Sequence, residues 1–203
     1  MAFQQFTFPK VLAELSLAVS DTDLFAGLAE EFVQTELQDA LIDASDMASA
    51  MDTEKARSEF VIAPVLMELR RRHRGAFKIF SGVELVGDPK RGLNGICDFL
   101  LAHSPSQYIV AGPILSVVEA KNDNTNTGLG QCIASMVAAQ IVNGGSQAAV
   151  YGVVSSGSLW KFLRLSNSDV AIDSAEYRIN QLGRILAILG SIVAPPAKSS
   201  GHL

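Results

Sequence analysis

This sequence has no surplus of positive charge. Its 203 residues carry 16 Lys and Arg against 21 Asp and Glu, a formal net charge of −5. Chains that hold nucleic acid through bulk electrostatics are strongly basic, so that mode is excluded. Any nucleic-acid role must rest on a local basic patch or on bound metal ions. Cysteine is scarce as well. Cys97 and Cys132 form no CxxC pattern, and each lies in an apolar segment. We expect buried free thiols rather than a disulfide. The opening MAFQQFTFPK lacks a basic region followed by an apolar one, so no secretory signal is expected. No apolar run reaches the ~20 residues needed to cross a bilayer. The longest, Ile133–Val142 and Arg184–Val193, fall short. The expectation is a soluble, cytoplasmic protein. There is no repeat at solenoid or propeller periods. No GxxxxGK(S/T) loop is present, and His73, His103 and His202 have no zinc spacing.

What is present is apolar material for one sizeable core, with 48% hydrophobic and 18% charged residues. The first quarter patterns as helices: Pro9 to about Val19, Leu24–Phe32 and Leu37–Ala48. A longer helix is predicted from about Asp52 to Arg72, capped by Asp52 or Thr53 and kinked or broken at Pro64. It ends in the basic run Arg70-Arg71-Arg72-His73-Arg74. Those cations either complement the helix macrodipole or contact phosphate.

Then the pattern changes. Phe77–Leu85 alternates as a strand, Asp88-Pro89-Lys90-Arg91-Gly92 is a turn, and Gly95–Ala102 is a second strand. Pro113–Ala120, rich in β-branched residues, is a third. A polar stretch, Asn122–Gly128, precedes a helix over Leu129–Val142, which Asn143-Gly144-Gly145 ends. Strands over Ala148–Ser155 and Trp160–Leu165 and a helix over Tyr177–Val193 close the chain. The expected architecture is α/β: a mixed central sheet of four or five strands flanked by helices. We divide it into an N-terminal helical extension (1–50), a main domain (51–194) and a flexible tail (195–203).

The chemistry concentrates on two of these strands. Asp98 sits between apolar neighbours, and the next strand ends Glu119-Ala120-Lys121. A buried carboxylate is costly unless it is paired or binds metal. Glu119 and Lys121 are two apart, so a strand sends both to one face. Two carboxylates offer hard oxygen ligands to Mg²⁺, with Mn²⁺ as a substitute. Such an ion polarises a phosphodiester and acidifies its bound water. The Lys then holds the nucleophile and offsets charge building on phosphorus.

Gly95-Ile96-Cys97-Asp98 followed by Glu119-Ala120-Lys121 resembles the PD-(D/E)XK nuclease superfamily, the restriction-endonuclease-like fold. That family carries an acidic residue on one strand and (D/E)-x-K at the end of the next. Cys97 stands where the family name has Pro. Two further features fit the resemblance: Glu59 on the first long helix and Gln131 on the helix after the third strand. The pair YGVVSSGSLWKFLRL also looks like the hairpin that closes the sheet in many members. The resemblance covers roughly Glu54 to Val193. It implies a metal-dependent deoxyribonuclease with Asp98 and Glu119 as Mg²⁺ ligands and Glu59 as an outer or second-metal ligand. Lys121 would position the attacking water and Gln131 would orient Lys121 or that water. Arg70, Arg71, Arg72, Arg74, Lys90 and Arg91 are the candidate contacts to DNA phosphates. Cutting both strands of a duplex needs two sites, which makes a homodimer a reasonable expectation.

Glu59 lies on a stripe with Ile62, Ala63 and Leu66, where a Glu calls for a partner: either the site or a salt bridge to Lys121 or an Arg. Gln131 either serves the site or merely caps its helix. Gly128-Leu129-Gly130-Gln131-Cys132-Ile133-Ala134 mimics a dinucleotide fingerprint, but no acid stands about 20 residues on. Trp160 is expected in the core rather than as a base-stacking platform. The rival to the nuclease is a catalytically silent binding or assembly module of the same fold, which the acidic net charge favours.

Overall fold

The computed structural model describes residues 3–122, 124–145 and 148–194. The tail assigned to 195–203 lies outside the described residues. In chain order the elements are α1 (Phe8–Leu15), β1 (Ala18–Thr22), α2 (Thr35–Met51), α3 (Glu54–Arg57), a π-helical turn (Ser58–Ile62), α4 (Ala63–Arg72), β2 (Lys78–Asp88), β3 (Leu93–Ala102), β4 (Ile114–Ala120), α5 (Leu129–Val142), β5 (Val150–Ser155), β6 (Leu159–Ser166), β7 (Asp169–Asp173), β8 (Tyr177–Arg178) and α6 (Leu182–Val193).

The fold is α/β, with one mixed eight-stranded sheet flanked by helices. The strand order is β1-β7-β6-β5-β4-β3-β2, with β8 pairing β6. The β4/β5 and β1/β7 pairs are parallel and the rest antiparallel. The crossover from β4 to parallel β5 runs through α5, as such connections require. One face packs on α1 and α5, through Val11, Leu15, Cys132, Ile133 and Met136. The other packs on α2, the helical run 54–72 and α6, through Leu41, Val61, Leu66, Ile185 and Leu189. Because Phe3 and Val11 join the first core and Leu41 and Ala48 the second, the first fifty residues cover both faces of the sheet.

Thr53 is the helix cap, its Oγ1 accepting from the Ala56 amide at 3.1 Å. The break expected at Pro64 takes the form of the π turn immediately before it, closed by an Ala63 N–H donating to Ser58 O. Pro64 has no N–H for the Phe60 carbonyl, and widening the preceding turn relieves the conflict.

Four expectations are corrected. Leu24–Phe32 is not helical: it makes a single turn, with Leu28 N–H donating to Phe25 O, and the Arg184 guanidinium donates to the carbonyls of Phe25 and Leu28. The first helix stops at Leu15 because Ser16 turns left-handed at φ 54°, and β1 follows. The closing helix begins at Leu182, since Tyr177 and Arg178 pair with β6 and the Tyr177 hydroxyl donates to Asp173 at 2.8 Å. The sheet has eight strands rather than four or five, with β1, β7 and β8 the additions.

Between β2 and β3 the sheet exchanges faces. Above this point Phe80 and its partner Leu100 lie in the core under α5. Below it the opposite parity, Val83 and Cys97, lies there instead. The exchange falls at Gly82 and Asp98, and Gly82 adopts φ +63°, a conformation that favours glycine.

Candidate active site

Asp98 sits where β3 turns away from β4. The last ladder pair is Phe99 with Val118, which leaves the Ala120 amide without a strand partner from β3. The Asp98 carboxylate takes that amide: Oδ2 accepts from Ala120 N at 2.7 Å. Asp98 thereby faces a groove of about 480 Å³ bordered by Glu54, Ser58, Glu59, Ser81 and Gly82.

Glu119, next in register after Val118, is fully buried. α5 supplies its partners: Gln131 Nε2 donates to Oε2 at 2.6 Å, and Ser135 Oγ donates to Oε1 at 3.3 Å. Burial, and then the neighbouring charge of Asp98, push its carboxyl up to about 8, while Lys121 and the Ser135 bond pull it down. Asp98, Glu119 and Lys121 therefore form one electrostatic unit. Within it the two carboxylates open differently, Asp98 into the groove and Glu119 toward α5.

Lys121 follows the end of β4, its backbone N–H donating to Ser155 O at 2.8 Å. Its Nζ donates to Ala120 O at 2.9 Å and lies 3.7 Å from Glu54 Oε1. Of the alternatives open for Glu59, the salt bridge to Lys121 is made instead by Glu54, five residues earlier. Glu59 borders the same groove, but its side chain is half-exposed and pairs with Lys55 at 2.5 Å. Glu54 is a site residue that the apolar-stripe argument missed. No local pattern marks it, because its pairing depends on how the first turn after the Thr53 cap meets the end of β4.

Gln131 bonds to Glu119 rather than merely capping its helix. The Gly128 and Gly130 that mimic a dinucleotide fingerprint have a packing cause. A Cβ on Gly128 would meet Lys121 Cγ at 2.9 Å, and one on Gly130 would overlap the Phe6 carbonyl. Trp160 is fully buried and donates to Gly157 O at 2.9 Å. Both thiols are buried, and burial raises them further from ionisation.

The basic residues are dispersed. Arg71 grips Glu68 through two bonds of 2.7 Å, and Arg72 bonds Glu68 and Glu31, each at 2.8 Å. Arg70 borders a second hollow that adjoins the groove. Arg74 is exposed in the turn after α4. Lys90 and Arg91 are exposed at the tip of the β2/β3 hairpin, about 20 Å along the strand from Gly82 at the usual strand rise.

The donor set suits a hard divalent cation in its chemistry: two carboxylates on adjacent strands whose mutual repulsion a cation would relieve. No group of three or more His, Cys, Asp and Glu side chains is gathered as a metal cluster among the described residues. No helix among them is long and apolar enough to cross a membrane. No family model, curated protein or solved structure matches the chain.

Proposed function

We propose that the chain is a metal-dependent nuclease of the restriction-endonuclease-like kind, hydrolysing DNA phosphodiesters at the Asp98, Glu119 and Lys121 unit. The observation that carries this reading is the placement of a fully buried Glu119 on the strand beside Asp98, whose Oδ2 accepts from the next amide, Ala120, with Lys121 following. A fully buried carboxyl with a second carboxylate near it adds little to folding by itself, since burial and that neighbouring charge oppose its ionisation. It gains value if a cation is held there.

Asp98 and Glu119 would hold Mg²⁺ or Mn²⁺, which supplies Lewis acidity and an acidified water. The chain's own residues do the rest. Gln131 and Ser135 fix the Glu119 carboxylate, and the Ala120 amide fixes Asp98. Lys121, held by Glu54 and the Ala120 carbonyl, offers its ammonium to the attacking oxygen and to charge on the phosphoryl group. Glu59 and Glu54 at the groove wall are positioned as outer acidic groups. Arg70 and Arg74 remain as phosphate contacts, whereas Arg71 and Arg72 are committed to Glu68 and Glu31. Cleavage of both strands of a duplex would call for a homodimer.

Incubation of supercoiled plasmid and single-stranded DNA circles with Mg²⁺ or Mn²⁺ tests this. Cleavage is expected, and Asp98→Ala or Lys121→Ala should abolish it. An inert wild type, or cleavage that survives Lys121→Ala, defeats the reading.

The second reading is a catalytically silent module of the same fold. It is favoured by one observation: both Glu119 oxygens are already engaged by α5 and the side chain does not border the groove. Metal titration separates the two. Binding of Mg²⁺ or Mn²⁺ that Asp98→Ala removes belongs to the enzyme, and no binding belongs to the module.

A further inference from the structure

The groove beside Asp98 does not end there. It continues into a second hollow of about 380 Å³, and the two share Ala63, Ser81 and Phe99. Its character changes along the way. The first end is acidic and polar, with Asp98, Glu54 and Glu59. The far end is walled by Leu66, Met67, Ile79 and Phe99, with Arg70 and Gln107 among its few polar side chains. Met67 keeps 56% of its surface exposed where it borders this hollow, so the apolar wall is open to solvent. Gln107 is anchored by donating Nε2 to Ile79 O at 2.7 Å, so its amide oxygen stays available as an acceptor. Of the three consecutive arginines ending α4, Arg71 and Arg72 are paired with carboxylates. Arg70 makes no ion pair among the described residues.

We infer that this far end receives an unpaired nucleobase of single-stranded DNA, whose adjoining phosphodiester lies in the acidic end beside Asp98. The inference rests on the nuclease reading and names its substrate class. Three arguments lead to it. A stacked, paired base shows only its edges, whereas a concave apolar slot takes a flat face. The chain is acidic overall and two of its α4 arginines are neutralised internally, so it is poorly equipped to bind a duplex backbone by counterion release. Base burial would supply the missing affinity. Last, the one unneutralised arginine of that trio and a free amide acceptor border this apolar end, matching a phosphate and an exocyclic amine on the same nucleotide.

The experiment uses the full chain and fluorescence anisotropy in Ca²⁺. The probes are a short labelled single-stranded oligodeoxynucleotide, its blunt duplex, and the same strand with an abasic site at each position in turn. The single strand should bind at least about tenfold tighter than the duplex, and one abasic position should cost about tenfold, the scale of one stacked base. Met67→Glu, at an exposed position, should reproduce that loss on the intact strand and add nothing on the abasic one. Equal or tighter binding of the duplex, a flat abasic scan, or an unaffected Met67→Glu overturns the inference. Cleavage in Mg²⁺ separates the two levels. Base-dependent binding without cleavage supports the slot and sinks the nuclease. Cleavage indifferent to abasic substitution sinks the slot and leaves the nuclease standing.

Discussion

Gln131 donates to the Glu119 carboxylate at 2.6 Å, tying the first turn of α5 to the end of β4. A partner that orients a metal-binding carboxylate is worth about 10- to 100-fold in metal affinity. Gln131→Ala should therefore weaken Mn²⁺ binding by about tenfold and lower unfolding free energy by about 1–3 kcal/mol, because Glu119 loses a bond inside the protein. Calorimetric titration and urea unfolding measure the two effects, and an unchanged Mn²⁺ affinity would refute the assigned role.

Glu119 makes the metal-free protein sensitive to pH. Its carboxyl is pushed from 4.5 up to about 8, chiefly by burial. Within that window the folded chain keeps a proton that the unfolded chain has lost, so stability falls as pH rises, by up to about 1.4 kcal/mol per pH unit. Urea midpoints should decline between about pH 5 and about pH 8, and Glu119→Gln should flatten the profile. Divalent metal must displace the same proton, so metal affinity should rise over this range. A wild-type profile identical to that of Glu119→Gln would contradict the assignment.

Glu54 holds Lys121 from a half-exposed position 3.7 Å away. An ion pair of that kind contributes less than about 1 kcal/mol to folding. Glu54→Gln should leave the melting temperature nearly unchanged while slowing DNA cleavage several-fold. Lys121→Ala should lower kcat by at least about 100-fold, the scale of a lost charge stabiliser, which takes plasmid cleavage below detection. Single-turnover cleavage kinetics distinguish the pair from two independent surface changes.

Two glycines carry the geometry of the site. Gly82 has open space for a Cβ but sits at φ +63°, so Gly82→Ala should cost about 1–2 kcal/mol through backbone strain alone. Gly130 has ordinary backbone but no room, since a Cβ would overlap the Phe6 carbonyl. Gly130→Ala should cost about 1–3 kcal/mol through overpacking. Urea denaturation gives both values, and a neutral Gly130→Ala would show that the Phe6 segment yields.

The thiols offer a simple check on the fold. Cys97 and Cys132 are both fully buried, and burial raises both pKa values. Neither should react with a thiol reagent until denaturant is added. Rapid labelling of the native protein would show the core under α5 to be open.

The elements that were legible in the sequence are the ones that local pattern determines. α5 carries its apolar run and glycine stop within one segment, and β3 and β4 announce themselves by apolar and β-branched residues. β1 could not be found this way. Every residue of Ala18–Thr22 is exposed, and its strand identity comes from pairing with β7, which lies far along the chain. Leu24–Phe32 had helical spacing, but Arg184 on α6 claimed its carbonyls, a contact that no local window contains. At the site, strand order was enough to bring Asp98 and Glu119 to neighbouring strands, whereas Gln131 entered only through the resemblance and its partner is Glu119 rather than Lys121. Glu54 could not be read from strand order, because its pairing with Lys121 depends on how the 54–72 run meets the end of β4. The pairing of Arg71 and Arg72 with Glu68 had the i,i+3 and i,i+4 spacing of one helix face, whereas the Glu31 bond to Arg72 was hidden, since it comes from a segment without regular structure.

The turn bearing Gln131 is buttressed from behind by the start of the chain. Phe6 and Thr7 backbone atoms press on Gly130, and the Phe3 ring presses on Gly95, a few residues before Asp98. Mechanical stress on that opening segment, whether from an upstream fusion or a proteolytic nick, would therefore propagate to both acidic strands. The seating of this aromatic segment and the placement of Asp98 and Glu119 are thereby joined.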